Sequence, residues 1–398
     1  MKRILSGIWT KKILSVVFLL SMTKITGLFS IDIKLDAPKL NTENPLASQI
    51  QPLIDNAFRD QEFNLQGELG PINLQKMTGA FADSSIFSST GASLRAYQGY
   101  NILALTAGTV IGFQLPPKNI FSLFEEFTNI NNEVNKLFAD MQRERDLRLG
   151  LNPQILNAQL GINSGFLLKG LYLGIKGGYM NISINLDDMD EFHTSFQTWS
   201  AGGLINYQLI PRFRILGGIF LWRGLNLGAG FIYQNTSLMM DIPFSRLNLR
   251  DFDRNGNMTI PIQTPLGDID GKISDAHLSL DFNVNTYTVP LEAITSIRLL
   301  GFLNIALGVG ADLGFGNASL EGDGDARVTM EERYGLQVES PGSLSLSLSK
   351  ESSTNLFNPK AMASFGFSAG PVIILDIPIT YYFRNNGFNI GISLGIAL

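Results

Sequence analysis

Two stretches carry residue types at spacings that could do chemistry. Asp251-Phe-Asp253-Arg-Asn255-Gly256-Asn257 sets oxygen ligands at alternate positions and a glycine at the sharp turn, the first half of a calcium loop. The twelfth position is Ile262, where such a loop needs a bidentate carboxylate, so a polar turn outweighs calcium as its reading. His277, one of two histidines, shares alternating positions with Ser279 and Asp281, a spacing open to nucleophilic catalysis. That alternation also describes a hydrated strand face, and the polar wall is the preferred reading. Lys176, His277, Asp281, Arg298 and Asp312 are accordingly expected to line a water-filled interior, with none assigned a catalytic role.

Composition narrows the frame that must hold these residues. Of 398 residues, 16% are charged against about 25% in an average domain, 40 are glycine and none is cysteine. The lack of cysteine rules out disulfides and thiolate metal sites. The chain is acidic, with no basic cluster in its body, which argues against nucleic acid as a partner. Residues 1–30 read as a signal peptide, with Lys2, Arg3, Lys11 and Lys12 before the apolar run Ile13–Met22. Without them the net charge falls from −5 to about −10.

Residues 31–92 form an N-terminal segment with a weakly amphipathic helix near Ala47–Asp60. Its end, Thr78–Ala92, is small, polar and turn-rich. A plug inside a barrel and an ordinary tail or first strand both stay open for it, because irregular backbone at membrane depth requires a polar interior. Residues 93–398 are expected to be the barrel, with a helical insertion over 119–146. There Phe121, Phe124, Phe127, Ile130, Val134, Leu137 and Met141 recur at helical spacing. The favoured place for it is the barrel rim.

The rest is strand after strand. Phe388, Ile390, Ile392, Leu394, Ile396 and Leu398 share one parity, against Asn389, Gly391, Ser393, Gly395 and Ala397. Leu303 to Phe315 alternates in the same way with small and polar residues. A flat apolar edge of that length aggregates in water, whereas a closed barrel in lipid satisfies it. Gly177-Gly178 marks a parity change, read as a bulge. Arg246–Asp275 and the stretch from Glu321 to Asp325 read as long polar loops, and Asn386-Gly387 as a hairpin turn. The expected fold class is all-β: a transmembrane antiparallel β-barrel of about twelve strands, ten to fourteen being compatible.

Asn44-Pro45-Leu46-Ala47 resembles the Asn-Pro-Ala element of FadL-type outer-membrane transporters. Phe81-Ala-Asp-Ser-Ser85 followed by Tyr97-Gln-Gly-Tyr100 resembles spirochaete-type barrels. The FadL resemblance implies an N-terminal hatch within a fourteen-stranded barrel that carries long-chain fatty acids and other hydrophobic molecules. A passive channel or transporter for small solutes, hydrophobic ones not excepted, in the cell outer membrane is therefore expected, not an enzyme. The alternative is a surface-exposed structural or adhesive barrel that binds a partner through acidic loops. Outer-membrane lipid and the barrel-assembly machinery, through the C-terminal strand, are the expected partners. No cofactor is expected beyond the candidate calcium loop.

Overall fold

The computed structural model describes residues 30–69, 74–89, 91, 93, 100–114, 150–185, 193–215, 219–243, 253, 257–369 and 372–398. The signal peptide expected over 1–30, apart from Ser30, and the helical insertion expected over 119–146 lie outside the described residues.

The chain opens with β1 (Ser30–Asp36), β2 (Lys39–Leu40), α1 (Ala47–Leu69) and α2 (Leu74–Ser88). Then come β3 (Leu103–Gln114), β4 (Gly150–Asn163), β5 (Leu171–Asn185), β6 (His193–Ile210) and β7 (Phe213–Ile215). They are followed by β8 (Phe220–Pro243), β9 (Met258–Thr264), β10 (Gly267–Leu299) and β11 (Leu303–Met330). The last are β12 (Val338–Ser340), β13 (Gly342–Ser353), β14 (Phe357–Ala369), β15 (Ile373–Tyr382) and β16 (Gly387–Ala397).

Ten strands close a ring in the order β3-β4-β5-β6-β8-β10-β11-β14-β15-β16. Every neighbouring pair is antiparallel, and β16 returns to β3 from Gly387↔Gln114 to Ala397↔Ala104. The alternation of the terminal segment thus becomes the seam of a closed barrel. Its outer face is apolar: Ile392, Leu394, Leu307, Val309, Phe365 and Ile175 are all exposed. Its inner face is polar, with Asn152, Gln154, Gln234, Thr286, Asn304 and Asn389 buried. A water-soluble fold has the opposite arrangement, so the ring is a transmembrane barrel. On β11 the apolar outer row runs from Leu303 to Phe315. Twelve residue steps make about 40 Å of strand, or roughly 30 Å of height at the usual tilt, enough for a hydrocarbon core.

The ring holds ten strands, fewer than the central expectation of twelve and the fourteen that the FadL resemblance implies. Two sequence segments account for the difference. The alternating stretch around Leu344, Leu346 and Leu348 belongs to β13, outside the ring. Leu278–Val284 and Val289–Leu299, each patterned as a strand, are one continuous β10.

The two ends of the barrel differ. One carries tight turns, such as the Leu300-Gly301-Phe302 link between β10 and β11, together with the end of β16. At the other, β10 and β11 run on past the ring and join β9, β13 and β1 in the order β1-β13-β11-β10-β9. This extension forms a lobe, and α1 packs on one face of it. Ile50, Ile54, Phe58 and Leu65 on α1 bury against Ile33, Leu35, Ile260, Ile269, Ile273, Leu278, Leu280, Val328, Leu344 and Leu346. The spacing of the α1 residues makes one apolar stripe.

The lobe corrects several expectations. The stretch 246–275 is not one loop, since β9 and the start of β10 occupy its second half. Glu321–Asp325 is strand, paired along β10 and β13. The parity change at Gly177-Gly178 is no bulge, because β5 pairs with β6 without a register shift from Leu171↔Tyr207 to Asn185↔His193. On β10 the apolar face moves from outside to inside where the surroundings change from lipid to the lobe's own core.

Candidate functional site

The barrel interior is occupied by α2. Small hydroxyl residues at Ser84, Ser85 and Ser88 let this helix approach the wall closely, and all three are buried. Ser85 Oγ lies 3.3 Å from Thr286 Oγ1 on β10. Ser88 Oγ donates to Asn152 Oδ1 at 3.1 Å, and Gln234 Nε2 donates to Ser88 Oγ at 2.9 Å. Asn389 Nδ2 donates to the Phe87 carbonyl at 2.6 Å, while the Phe87 ring stacks on Tyr382 at 4.1 Å. The wall makes room with glycine: a Cβ on Gly112 would fall on the Ser88 nitrogen and the Ser84 carbonyl.

At the lobe end of α2, the Asp83 carboxylate accepts from the Asn355 backbone at 2.9 Å and from Asn355 Nδ2 and Asn385 Nδ2, each at 2.6 Å. Beyond α2 the chain continues towards the turn end. Lys176 Nζ donates to the Ser89 carbonyl, and Gly91 lies against Gln159 and Lys176. Ser93 Oγ donates to Asp376 Oδ2 at 2.8 Å, and Tyr100 packs edge-on against Tyr172 at 5.0 Å.

Charge collects beside the helix. Lys360 Nζ lies 2.5 Å from Glu292 Oε1 and 2.7 Å from Asp312 Oδ1, and the Tyr382 hydroxyl donates to Asp312 Oδ2 at 2.8 Å. Asn226, Thr288, Thr380 and Ser393 turn polar atoms inward with no protein partner among the described residues. Water satisfies such groups; a dry core would not.

Of the residues read as lumen candidates, Lys176, Arg298 and Asp312 sit on the inner face, with Arg298 Nε 3.4 Å from Asn304 Oδ1 near the turn end. His277 and Asp281 do not. On β10 the even positions from Leu278 to Thr288 face inward, which puts His277, Ser279 and Asp281 on the outside of the lobe. The cause is the lobe's apolar core, which takes the face that lipid takes lower on the same strand. There His277 and Ser279 line a shallow depression with His193, Asp241, Asp323 and Asp325. Among the described residues no three His, Asp or Glu side chains are placed to hold a metal ion. Asp251 and Asn255 of the candidate calcium loop lie outside the described residues; Asp253 Oδ1 accepts from the Asn257 backbone at 2.8 Å, a turn contact.

Sequence reasoning missed Glu292, Lys360 and Tyr382. A signal was present: Glu292 and Lys360 are isolated charges within membrane-length strands, which marks an interior partner. Asn44-Pro45, the pair behind the hatch resemblance, lies in the lobe, not the lumen. Asn44 Oδ1 accepts from Leu46 N at 2.9 Å, and Asn44 Nδ2 donates to the Gly335 carbonyl at 3.0 Å.

Fold and interior together define a transmembrane β-barrel with an internal helix and a lobe at one end. The Lsa36-like family model matches residues 36–398, and the chain belongs to that family. No curated protein sequence matches it. Among solved structures, the chain is similar to the translocator domain of the autotransporter NalP from Neisseria meningitidis, at 8% identity over 75% of this chain and 88% of that one, TM-score 0.27. It is similar also to the Ralstonia pickettii toluene transporter TbuX, at 9% identity over 81% and 98%, TM-score 0.25. A Pseudomonas aeruginosa FadL homologue matches at 9% identity over 82% and 97%, TM-score 0.25. At these scores none of the three carries a functional argument.

Proposed function

We propose that the protein is an outer-membrane channel for small solutes, gated by α2. The observation that carries this is how α2 is held: by side-chain hydrogen bonds from Ser85, Ser88 and Asp83 to a polar wall. Water can replace such bonds, while the Phe81–Phe282 and Phe87–Tyr382 contacts set the cost of loosening the helix. The tight turns face the periplasm and the lobe faces outward, the usual arrangement of bacterial barrels. The wall suits a polar solute; Gln154, Gln234, Lys360 and Asp312 offer no apolar track for a hydrophobic one. No catalytic step belongs to this reading, since His277 and Ser279 lie outside the lumen.

Ion current through the full-length protein in planar bilayers tests it. A Ser85→Ala/Ser88→Ala variant is expected to open more often than the parent. Silence from both, with the barrel folded, would sink the channel reading and leave the second one, a surface protein that binds through the lobe. That reading draws on the acidic outer face, where Asp281 pairs with Glu321, Ser279 with Asp323 and His277 with Asp325 across two strands. Such a face fits a basic partner.

A further inference from the structure

The N-terminal module and the first barrel strand lie at opposite ends of the pore. β1 pairs with β13 through seven residues, from Ser30↔Ser349 to Asp36↔Ser343, and so is built into the lobe. Its inward residues Ile33 and Leu35 are part of the same apolar core as α1. Yet β3, the next strand of the chain in the ring, starts at the turn end. Asn101 N and Ile102 N donate to the Leu398 carbonyl at 2.8 and 2.7 Å, and Leu103 pairs with Ile162, at the far end of β4 from the lobe.

Between these two points the described residues 74–89, 91, 93 and 100 contact the barrel at successive levels. Met77 packs on the lobe core, and Phe81 meets Phe282 at 5.4 Å, at the lobe mouth. Ser88 reaches Gln234 and, near the lobe-side end of β4, Asn152; Ser93 reaches Asp376 near the start of β15, and Tyr100 reaches Tyr172 near the start of β5. This is a one-way descent from lobe to turns. The ring is hydrogen-bonded all the way round, so no lateral gap offers another path.

We propose that the barrel carries its own N-terminal module across the membrane: residues 30–69 pass through the lumen to the cell surface, and β1 completes the lobe there. In the finished protein α2 is the part of the transported segment that remains in the pore. The inference rests on the orientation given above, with turns in the periplasm and lobe outside. It has a mechanical consequence. With β1–β13 and α1 clamped at one mouth and β3 at the other, α2 is tethered at both ends. It cannot swing out as a hinged hatch; opening is confined to loosening within the lumen.

The absence of cysteine lets single cysteines report cleanly. In the full chain expressed in the outer membrane, Asp32→Cys and Glu43→Cys mark the module, Asp323→Cys the lobe strands and Lys169→Cys a tight turn; all four positions are exposed. With a membrane-impermeant maleimide, the first three are expected to label on intact cells and Lys169→Cys only after permeabilisation. Labelling of Asp323→Cys with protection of Asp32→Cys and Glu43→Cys would overturn transport of the module while leaving the orientation intact. Labelling of Lys169→Cys alone on intact cells would overturn the orientation itself. A Ser85→Cys/Thr286→Cys pair then tests the threaded state directly. A disulfide formed on oxidation supports it; two free thiols beside a correctly labelled lobe would overturn it.

Discussion

Phe282 and Thr286 project from the same face of β10, four residues apart, into opposite environments. Phe282 closes on Phe81 at 5.4 Å at the floor of an apolar core, while Thr286 meets the Ser85 hydroxyl at 3.3 Å in the polar lumen. The outer face of the strand changes in the other sense. Asp281 and Asn283 give way to the exposed Tyr287 and Leu291. No register shift separates the two regimes, since the shifts on β10 fall between Ser274 and His277 against β11 and between Thr295 and Ile297 against β8. One unbroken strand is therefore inside-out in its barrel half and conventional in its lobe half.

This boundary predicts a position-dependent tolerance to charge. Leu307→Lys, on the lipid face near mid-membrane, is expected to cost about 2–4 kcal/mol in folding stability. Ser347→Lys, at an equivalent outward position of the lobe, is expected to stay within about 0.5 kcal/mol. Urea titrations of folding into lipid vesicles, followed by the gel shift of folded against heated protein, compare the two. Equal losses would mean that the lobe surface also contacts lipid.

Lys360 neutralises two buried carboxylates at once. Lys360→Met leaves Glu292 and Asp312 facing each other without a cation and is expected to destabilise the barrel by about 3–5 kcal/mol. The triple change Lys360→Met/Glu292→Gln/Asp312→Asn is expected to recover most of that loss. Thermal unfolding in detergent reads both. A triple variant no better than the single one would show that packing, not charge, sets the cost.

Asp83 fastens α2 to the links at the lobe end of the barrel. Asp83→Ala leaves the Asn355 backbone and the Asn355 and Asn385 amides without their acceptor. More frequent openings in bilayer recordings, with an unchanged heat-modifiable barrel, are the expected result. Openings no more frequent than in the parent would show that docking does not depend on this carboxylate.

Gly112 is one of two places, with Gly150, where a wall glycine touches the helix backbone. Gly112→Val puts a branched side chain on the Ser84 and Ser88 backbone, which cannot move without shifting α2. More frequent opening, with an unchanged heat-modifiable barrel, is the expected result of bilayer recordings. Gly203→Val is the control, because nothing lies within 4 Å of a Cβ there.

Parity made much of the barrel legible. The alternation of Phe388–Leu398 and of Leu303–Phe315 identifies strands with one lipid face, because period two is a local property that survives without knowledge of the partners. The same reasoning misplaced His277 and Asp281. A polar parity means only that water is on that side, and water lies inside the barrel but outside the lobe. The isolated charges Glu292 and Lys360 were visible in sequence, but not their pairing, because they lie on different strands, 68 positions apart.

The sequence by itself determined the strand faces, the absence of covalent cross-links and the acidic surface, all set by residue type and short-range periodicity. Only the tertiary structure decided that ten strands close the ring, that β10 and β11 outgrow it, and that β1 and α1 sit in the lobe while α2 sits in the pore. The physical reason is range. Ring closure joins β3 to β16, and the lobe joins β1 to β13, across hundreds of residues. Such pairings are chosen by the combined burial of many side chains, which no local window of sequence contains.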